Sequence, residues 1–124
     1  MYTVFKISIE DSVDKDAVLK DFASQSFKFI NGMLVASILN DDRGDIVSYD
    51  SNWYEHCDAM MDFIQNNTEA LRRYDCGYHF DIAVHSKDCK DTTVKCMPMD
   101  NDFIKLLAEY NITFEISLYL PLER

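Results

Sequence analysis

The chain has 124 residues, of which 48% are hydrophobic and 13% aromatic, and its formal net charge is −10 at pH 7. This size and apolar content fit one domain spanning residues 1–124 and argue against intrinsic disorder. The negative charge disfavours binding to nucleic-acid phosphates and to anionic membranes, and it favours encounter with a basic protein.

The first elements in the chain are a strand and a helix. Apolar and polar side chains alternate over residues 2–9, which predicts a half-buried strand. Asp11 and Ser12 are candidate caps for the helix that follows, because their side chains can accept hydrogen bonds from its first N–H groups. The apolar stripe of this helix is Val18, Leu19 and Phe22.

A β-hairpin is predicted around Asn31-Gly32. This pair separates two apolar runs, residues 27–30 and 33–39, and both of its residues tolerate positive φ. A polar turn then leads to a short fourth strand over 45–49.

The second helix is predicted to follow the capping residues at 50–52. Glu55 stands three residues after Asn52, which is the spacing of a capping box. The polar residues 66–69 are expected to interrupt the helix before a short extension that ends at Gly77. The apolar residues at helical spacing are Trp53, Cys57, Met60, Met61 and Ile64.

The last part of the chain predicts three strands and one helix. Side chains alternate clearly over residues 78–85 and 112–120. A strand over 92–97 is stopped by Pro98, and Asp100 caps the helix that precedes the final strand.

This order of elements, β-α-β-β-β-α-β-β-α-β, predicts an α+β fold. Its hairpins favour a mainly antiparallel β-sheet with about three helices packed on one face. The predicted core layer of the sheet is Phe5, Ile7, Phe80, Ile82, Phe114 and Ile116. The opposite, polar face is predicted to carry Lys6, Ser8, His79, Asp81, Thr113, Glu115, Ser117 and Tyr119.

The four cysteines are expected to be free thiols in the cytoplasm. The sequence starts without a basic region followed by an apolar stretch, so we expect no export and a reducing compartment. Two of the cysteines stand near histidines, as Cys76 with His79 and Cys89 with His85. A strand between these pairs would hold them roughly 20 Å apart, so we predict no zinc site.

The clearest functional lead is a concentration of acidic residues. Between residues 41 and 62 the chain has seven acidic side chains and a single basic one, Arg43. The last three acids follow helical spacing and would line one face of the second helix. The predicted partner-binding residues are Asp41, Asp42, Asp45, Glu55, Asp58 and Asp62. Trp53 or Tyr54 is expected to be exposed beside them as an apolar anchor, because both cannot face inward.

A second possibility is a small-ligand module, or a weakly marked enzyme, on the polar face of the sheet. His79 and Asp81 share a strand face and could transfer a proton, with Glu115 and Tyr119 nearby. The sequence has no phosphate-binding loop, dinucleotide fingerprint or zinc-protease motif, so we predict no cofactor and a binding protein, not an enzyme.

The order of elements resembles that of small bacterial immunity proteins from polymorphic-toxin and contact-dependent growth inhibition systems, and that of a related bacterial α+β domain family. The residues that carry this resemblance are the opening strand 2–9, the helix with Trp53, and the closing segments 100–109 and 112–119. The resemblance implies a cytoplasmic inhibitor that covers the active site of a toxin. The toxin type, the stoichiometry and the oligomeric state stay open.

Overall fold

The computed structural model describes residues 1–22, 26–40, 49–85 and 97–119, with the backbone alone at 49–52 and 85. These residues form five strands and four helices, and none of the helices is both long and apolar enough to cross a membrane. They are β1 (Tyr2–Ser8), α1 (Lys15–Asp21), β2 (Phe27–Ile30), β3 (Met33–Asn40), α2 (Tyr49–Asn66), α3 (Thr68–Arg73), β4 (Gly77–His85), α4 (Asn101–Glu109) and β5 (Ile112–Tyr119).

The five strands form one sheet in the order β2-β3-β1-β4-β5. Every neighbouring pair is antiparallel except β4 and β5, which are parallel. A parallel pair needs a crossover connection, and α4 lies in the chain between these two strands. The predicted α+β class with a mainly antiparallel sheet is therefore confirmed.

One face of the sheet carries the core. Phe5 is paired with Phe80, and Phe80 with Phe114, so three rings form a row across β1, β4 and β5. The Phe5 and Phe80 rings are fully buried, with centroids 5.0 Å apart. Buried residues of all four helices belong to the same cluster, which confirms helix packing on this face. Ile116 departs from the predicted core layer, because it lies on the edge strand and is 44% exposed.

The hairpin between β2 and β3 forms as predicted. Asn31 and Gly32 both have positive φ, at 50° and 80°, as a two-residue turn of this kind requires. The turn brings Ile30 opposite Met33 and sets the register of the two strands.

The predicted start of the first helix and the predicted role of Gly77 were wrong. The first helix begins at Lys15, after Asp14, whose Oδ1 accepts from the Asp16 N–H at 3.0 Å; Asp11 and Ser12 lie in the preceding turn. Gly77 does not end a helix: it opens β4, where an added Cβ would meet the Ser8 Cβ at 3.3 Å. The close approach of two strands accounts for this glycine.

The second helix begins before residues 50–52, which were predicted to cap it and instead lie within it. Tyr49, expected to end a strand, already belongs to α2, and the rest of that predicted strand lies outside the described residues. Residues 92–96 of the strand predicted before Pro98 also lie outside the described residues, and Met97 is not in a strand. The predicted interruption near residue 67 is confirmed, since Asn67 separates α2 from α3 and its Nδ2 donates to the Phe63 carbonyl at 2.8 Å.

Candidate partner-binding face

The orientation of α2 is fixed by a continuous buried side. Trp53 is fully buried, and its Nε1 donates to the Pro98 carbonyl at 2.6 Å. Its indole meets the Phe114 ring edge-on at 6.3 Å. Other buried residues follow at helical spacing, so the helix cannot rotate without losing core contacts. They are His56, Cys57, Met60, Phe63 and Ile64.

His56 is a buried polar residue that sequence reasoning missed. Its Nδ1 lies 2.6 Å from the Thr3 Oγ1, and both residues have no exposed surface. The signal was present, because position 56 falls on the inward side defined by Trp53, Cys57 and Met60. The pair ties α2 to β1 and further fixes how α2 lies on the sheet.

The outward side of α2 is acidic. Glu55, Asp58 and Asp62 are exposed and follow one another within two turns, over about 10 Å of helix. α2 contains no lysine or arginine. Tyr54 is 49% exposed and stands one turn before Asp58. Its neighbour Trp53 is buried, so one of these two aromatic residues is exposed, as predicted. We call Tyr54, Glu55, Asp58 and Asp62 the acidic face of α2.

The structure brings together only part of the predicted site. Glu55, Asp58 and Asp62 share the acidic face, as their spacing predicted. Asp41, Asp42 and Asp45 lie outside the described residues. The acidic face is therefore the part of the predicted surface whose geometry is defined.

The two cysteines in the described part of the chain are free thiols. Burial, with smaller effects of the Asp58 and Asp100 charges, raises the pKa of Cys57 to about 11. Burial likewise raises the pKa of the half-buried Cys76, helped by Asp75 and Glu10. Raised pKa values keep both sulfurs protonated at neutral pH, which makes them poor nucleophiles.

The polar face of the sheet holds a second group of interacting side chains. Asp81 is only 8% exposed, and its carboxylate accepts from Lys6 Nζ at 3.3 Å and from Ser117 Oγ at 2.9 Å. His79 Nε2 lies 3.9 Å from Glu115 Oε1, diagonally across β4 and β5, since Glu115 is paired with Asp81. The predicted polar face therefore forms, but its central carboxylate is shielded and already neutralised by a lysine.

Tyr2 and Tyr119 extend this polar group along the sheet. Burial raises the pKa of the Tyr2 phenol, and its hydrogen bond with Tyr119 and the charge of Asp81 raise it further. Tyr119 is 48% exposed, so one aromatic ring of the group faces solvent.

The geometric premise of the zinc prediction holds in part. β4 is a strand, so Cys76 and His85 are separated by its length as assumed. Cys89 lies outside the described residues. Within the described ranges, no three His, Cys, Asp or Glu residues lie together as a group that could hold a metal ion. The absence of zinc stays a prediction.

Comparison of the chain with protein-family models, curated proteins and solved structures found no match. What the protein does has to be inferred from its own residues.

Proposed function

We propose that this protein is an immunity-type binding protein that neutralises a basic toxin by covering its active site with the acidic face of α2. The observation that carries the proposal is a row of exposed carboxylates on a helix whose other side is locked into the core. Such a helix presents negative charge at a fixed position, as recognition of a basic surface requires.

The acidic face has an energetic cost in the free protein. Asp58 and Asp62 stand four residues apart, and like charges at this spacing destabilise a helix by about 0.2–0.5 kcal/mol. No lysine or arginine of α2 offsets this repulsion. A basic partner would relieve it on binding, so the same residues that weaken the free helix would strengthen the complex.

The mechanism follows from charge and shape. Carboxylates of the acidic face would take the place of substrate phosphates against the lysines and arginines of a nuclease-type toxin. The net charge of −10 would speed the encounter by attracting a positively charged partner. Tyr54 would supply apolar contact area next to the charges, as tyrosines do at protein interfaces.

A toxin is proposed as the partner because the order of elements resembles that of bacterial immunity proteins. In this proposal the protein acts in the cytoplasm, where it would meet a toxin delivered from a neighbouring cell. A toxin gene directly upstream of the gene for this chain would support the assignment.

A second candidate function uses the polar face of the sheet. The observation in its favour is the shielded Asp81, held by Lys6 and Ser117 with His79 and Glu115 beside it. Such a group could bind a small polar ligand or assist proton transfer. If this alternative holds, changing His79 to Ala should abolish ligand binding. If the acidic face of α2 is the binding surface, the same change should leave toxin binding intact.

The experiment compares two double variants that each remove two negative charges. Asp58→Asn with Asp62→Asn neutralises the acidic face, whereas Asp11→Asn with Asp75→Asn neutralises exposed acids elsewhere. Both variants and the unchanged chain serve as bait in lysate of the source organism, and bound proteins are identified by mass spectrometry. Each captured protein is then expressed alone and with each form of the chain.

We expect a basic protein that stops growth when expressed alone and is neutralised by the unchanged chain and by the Asp11 and Asp75 variant. The Asp58 and Asp62 variant should lose both capture and protection while keeping its melting temperature. Equal protection by both double variants would reject the acidic face as the binding surface.

A further inference from the structure

The edge strand β5 differs from the other edge of the sheet. Among the described strands, β5 hydrogen-bonds to β4 on one side and to no strand on the other. It has eight residues, so about four N–H and four C=O groups point away from the sheet. Such a row is a template for the addition of another strand.

The side chains of β5 do little to prevent strand addition. Ile116 and Leu118 are 44% and 58% exposed, and the only charged residue of the strand is Glu115. The opposite edge, β2, is half as long and carries Lys28, while Lys15 lies over the Phe29 ring at 4.5 Å. Short length and lysines are the usual protection of an edge strand, and β2 has both while β5 has neither.

We propose that β5 is a dimerisation edge, at which β5 of a second copy of this chain pairs antiparallel across a two-fold axis at Ile116. The two sheets then join into one continuous sheet. This inference is independent of which surface binds the toxin.

The pattern of β5 is self-complementary in this register. Ile116 faces Ile116 of the second copy, and Phe114 faces Leu118, so apolar residues meet on the core side. On the polar side Glu115 faces Ser117, and Thr113 faces Tyr119. A register centred on Glu115 would instead place two carboxylates opposite each other, which is unfavourable. Charge repulsion thus disfavours the register centred on Glu115. In the register centred on Ile116, no two like charges face each other.

The dimer has a consequence for partner binding. A two-fold axis perpendicular to the sheet keeps the helices of both copies on the same side. α2 packs on β3 and α4, so its acidic face stays uncovered in each copy. The pair would present two acidic faces and bind two toxin molecules.

The experiment uses two matched substitutions on the two edges. Ile116→Lys places a charge at the proposed axis, and Ile30→Lys makes the same change on β2, where Ile30 is 47% exposed. Sedimentation is measured over about 1 µM to 1 mM, the range in which weak dimers dissociate. We expect the unchanged chain and Ile30→Lys to reach twice the 14.5 kDa chain mass and Ile116→Lys to remain a monomer.

Hydrogen exchange on the unchanged chain tests the same interface without a substitution. Amides of Ile112–Tyr119 should gain protection as the concentration rises, and those of Phe27–Ile30 should not. A chain that stays monomeric up to about 1 mM overturns the proposal. So does a dimer that Ile30→Lys disrupts as much as Ile116→Lys, or that adds no protection to β5.

Discussion

Thr3 and His56 form a fully buried polar pair that ties β1 to α2. Changing Thr3 to Val keeps the shape of the side chain and removes its hydroxyl group. The His56 Nδ1 then loses that hydrogen bond, at a cost of about 1–3 kcal/mol of unfolding free energy. Urea unfolding measures the loss.

Thr113→Val is the matched control for this prediction. Thr113 also lies on a strand, but it is exposed. The same substitution there should change the unfolding free energy by less than about 0.5 kcal/mol. Equal effects at the two positions would contradict a special role for the buried pair.

Cys57 and Cys76 should differ in reactivity. The pKa of about 11 at Cys57, against an ordinary value of 9.0, lowers its thiolate fraction about a hundredfold at mildly alkaline pH, and burial also restricts access. We expect iodoacetamide to modify Cys76 before Cys57 in the folded protein, as read by mass spectrometry. Faster modification of Cys57 would mean that α2 opens in solution.

All four cysteines should titrate as thiols in the denatured, non-reduced protein purified from cytosol. This follows from the expected reducing compartment and applies equally to Cys89 and Cys96. A count of two thiols would instead indicate a disulfide and an oxidising compartment.

At the scale of elements, α1 is tied to α3 by one carboxylate. Asp21 Oδ2 accepts from the Tyr74 hydroxyl at 2.5 Å and from the Arg73 guanidinium at 2.6 Å. The Tyr74 hydrogen bond, followed by that of Arg73, lowers the pKa of Asp21 below its ordinary 3.8. A lowered folded-state pKa adds stability above pH 3.8 that is lost as pH falls through the lower value.

Asp21→Asn should therefore lower the melting temperature near neutral pH, and the difference from the unchanged chain should shrink below pH 3.8. Thermal unfolding across the acidic range measures this difference. Asp16→Asn is the control, since Asp16 is exposed on the same helix. A difference that grows towards acid would contradict the assigned direction of the pKa.

Lys6 and Asp81 link β1 to β4 on the polar face of the sheet. Lys6→Met leaves the shielded Asp81 carboxylate without its cation, and we expect a loss of about 1–3 kcal/mol in unfolding free energy. Lys28→Met, on the exposed edge strand β2, should be nearly neutral. Similar losses from both variants would show that the Lys6 contact contributes little.

Sequence pattern predicted those elements whose own residues determine them. The Asn31-Gly32 turn and the alternating strands β1, β4 and β5 formed where expected, because turn chemistry and side-chain period are local. Helix starts were predicted less accurately, since Asp11, Ser12 and Asp14 can all cap a helix and the structure uses Asp14. Gly77 was misread because the strand that crowds it lies far away in sequence.

The arrangement of strands and the shielding of the polar face were beyond sequence reasoning. The order β2-β3-β1-β4-β5 joins residues distant in the chain, so no local pattern specifies it. Asp81 was expected at an open surface, but contacts from β1 and β5 shield it. The acidic face of α2 was predictable because its three acids lie within one helix.

At the scale of the whole molecule, the acidic face lies on a helix, α2, whose opposite side is buried in the core. In the proposed function, the net charge of −10 would attract a basic partner from a distance, and the acidic face of α2 would define where it docks. Charges that steer association act mainly on the association rate, and salt screens them. These properties separate electrostatic recognition from binding through apolar contacts alone.

The most direct test of this account is the association rate of the captured partner, measured by stopped flow from about 50 to 500 mM salt. For the unchanged chain and for Asp11→Asn with Asp75→Asn, the rate should fall steeply as salt rises. For Asp58→Asn with Asp62→Asn, association should be slower at low salt and should fall less steeply as salt rises. Equal rates and equal salt dependence in all three proteins would contradict binding through the acidic face of α2.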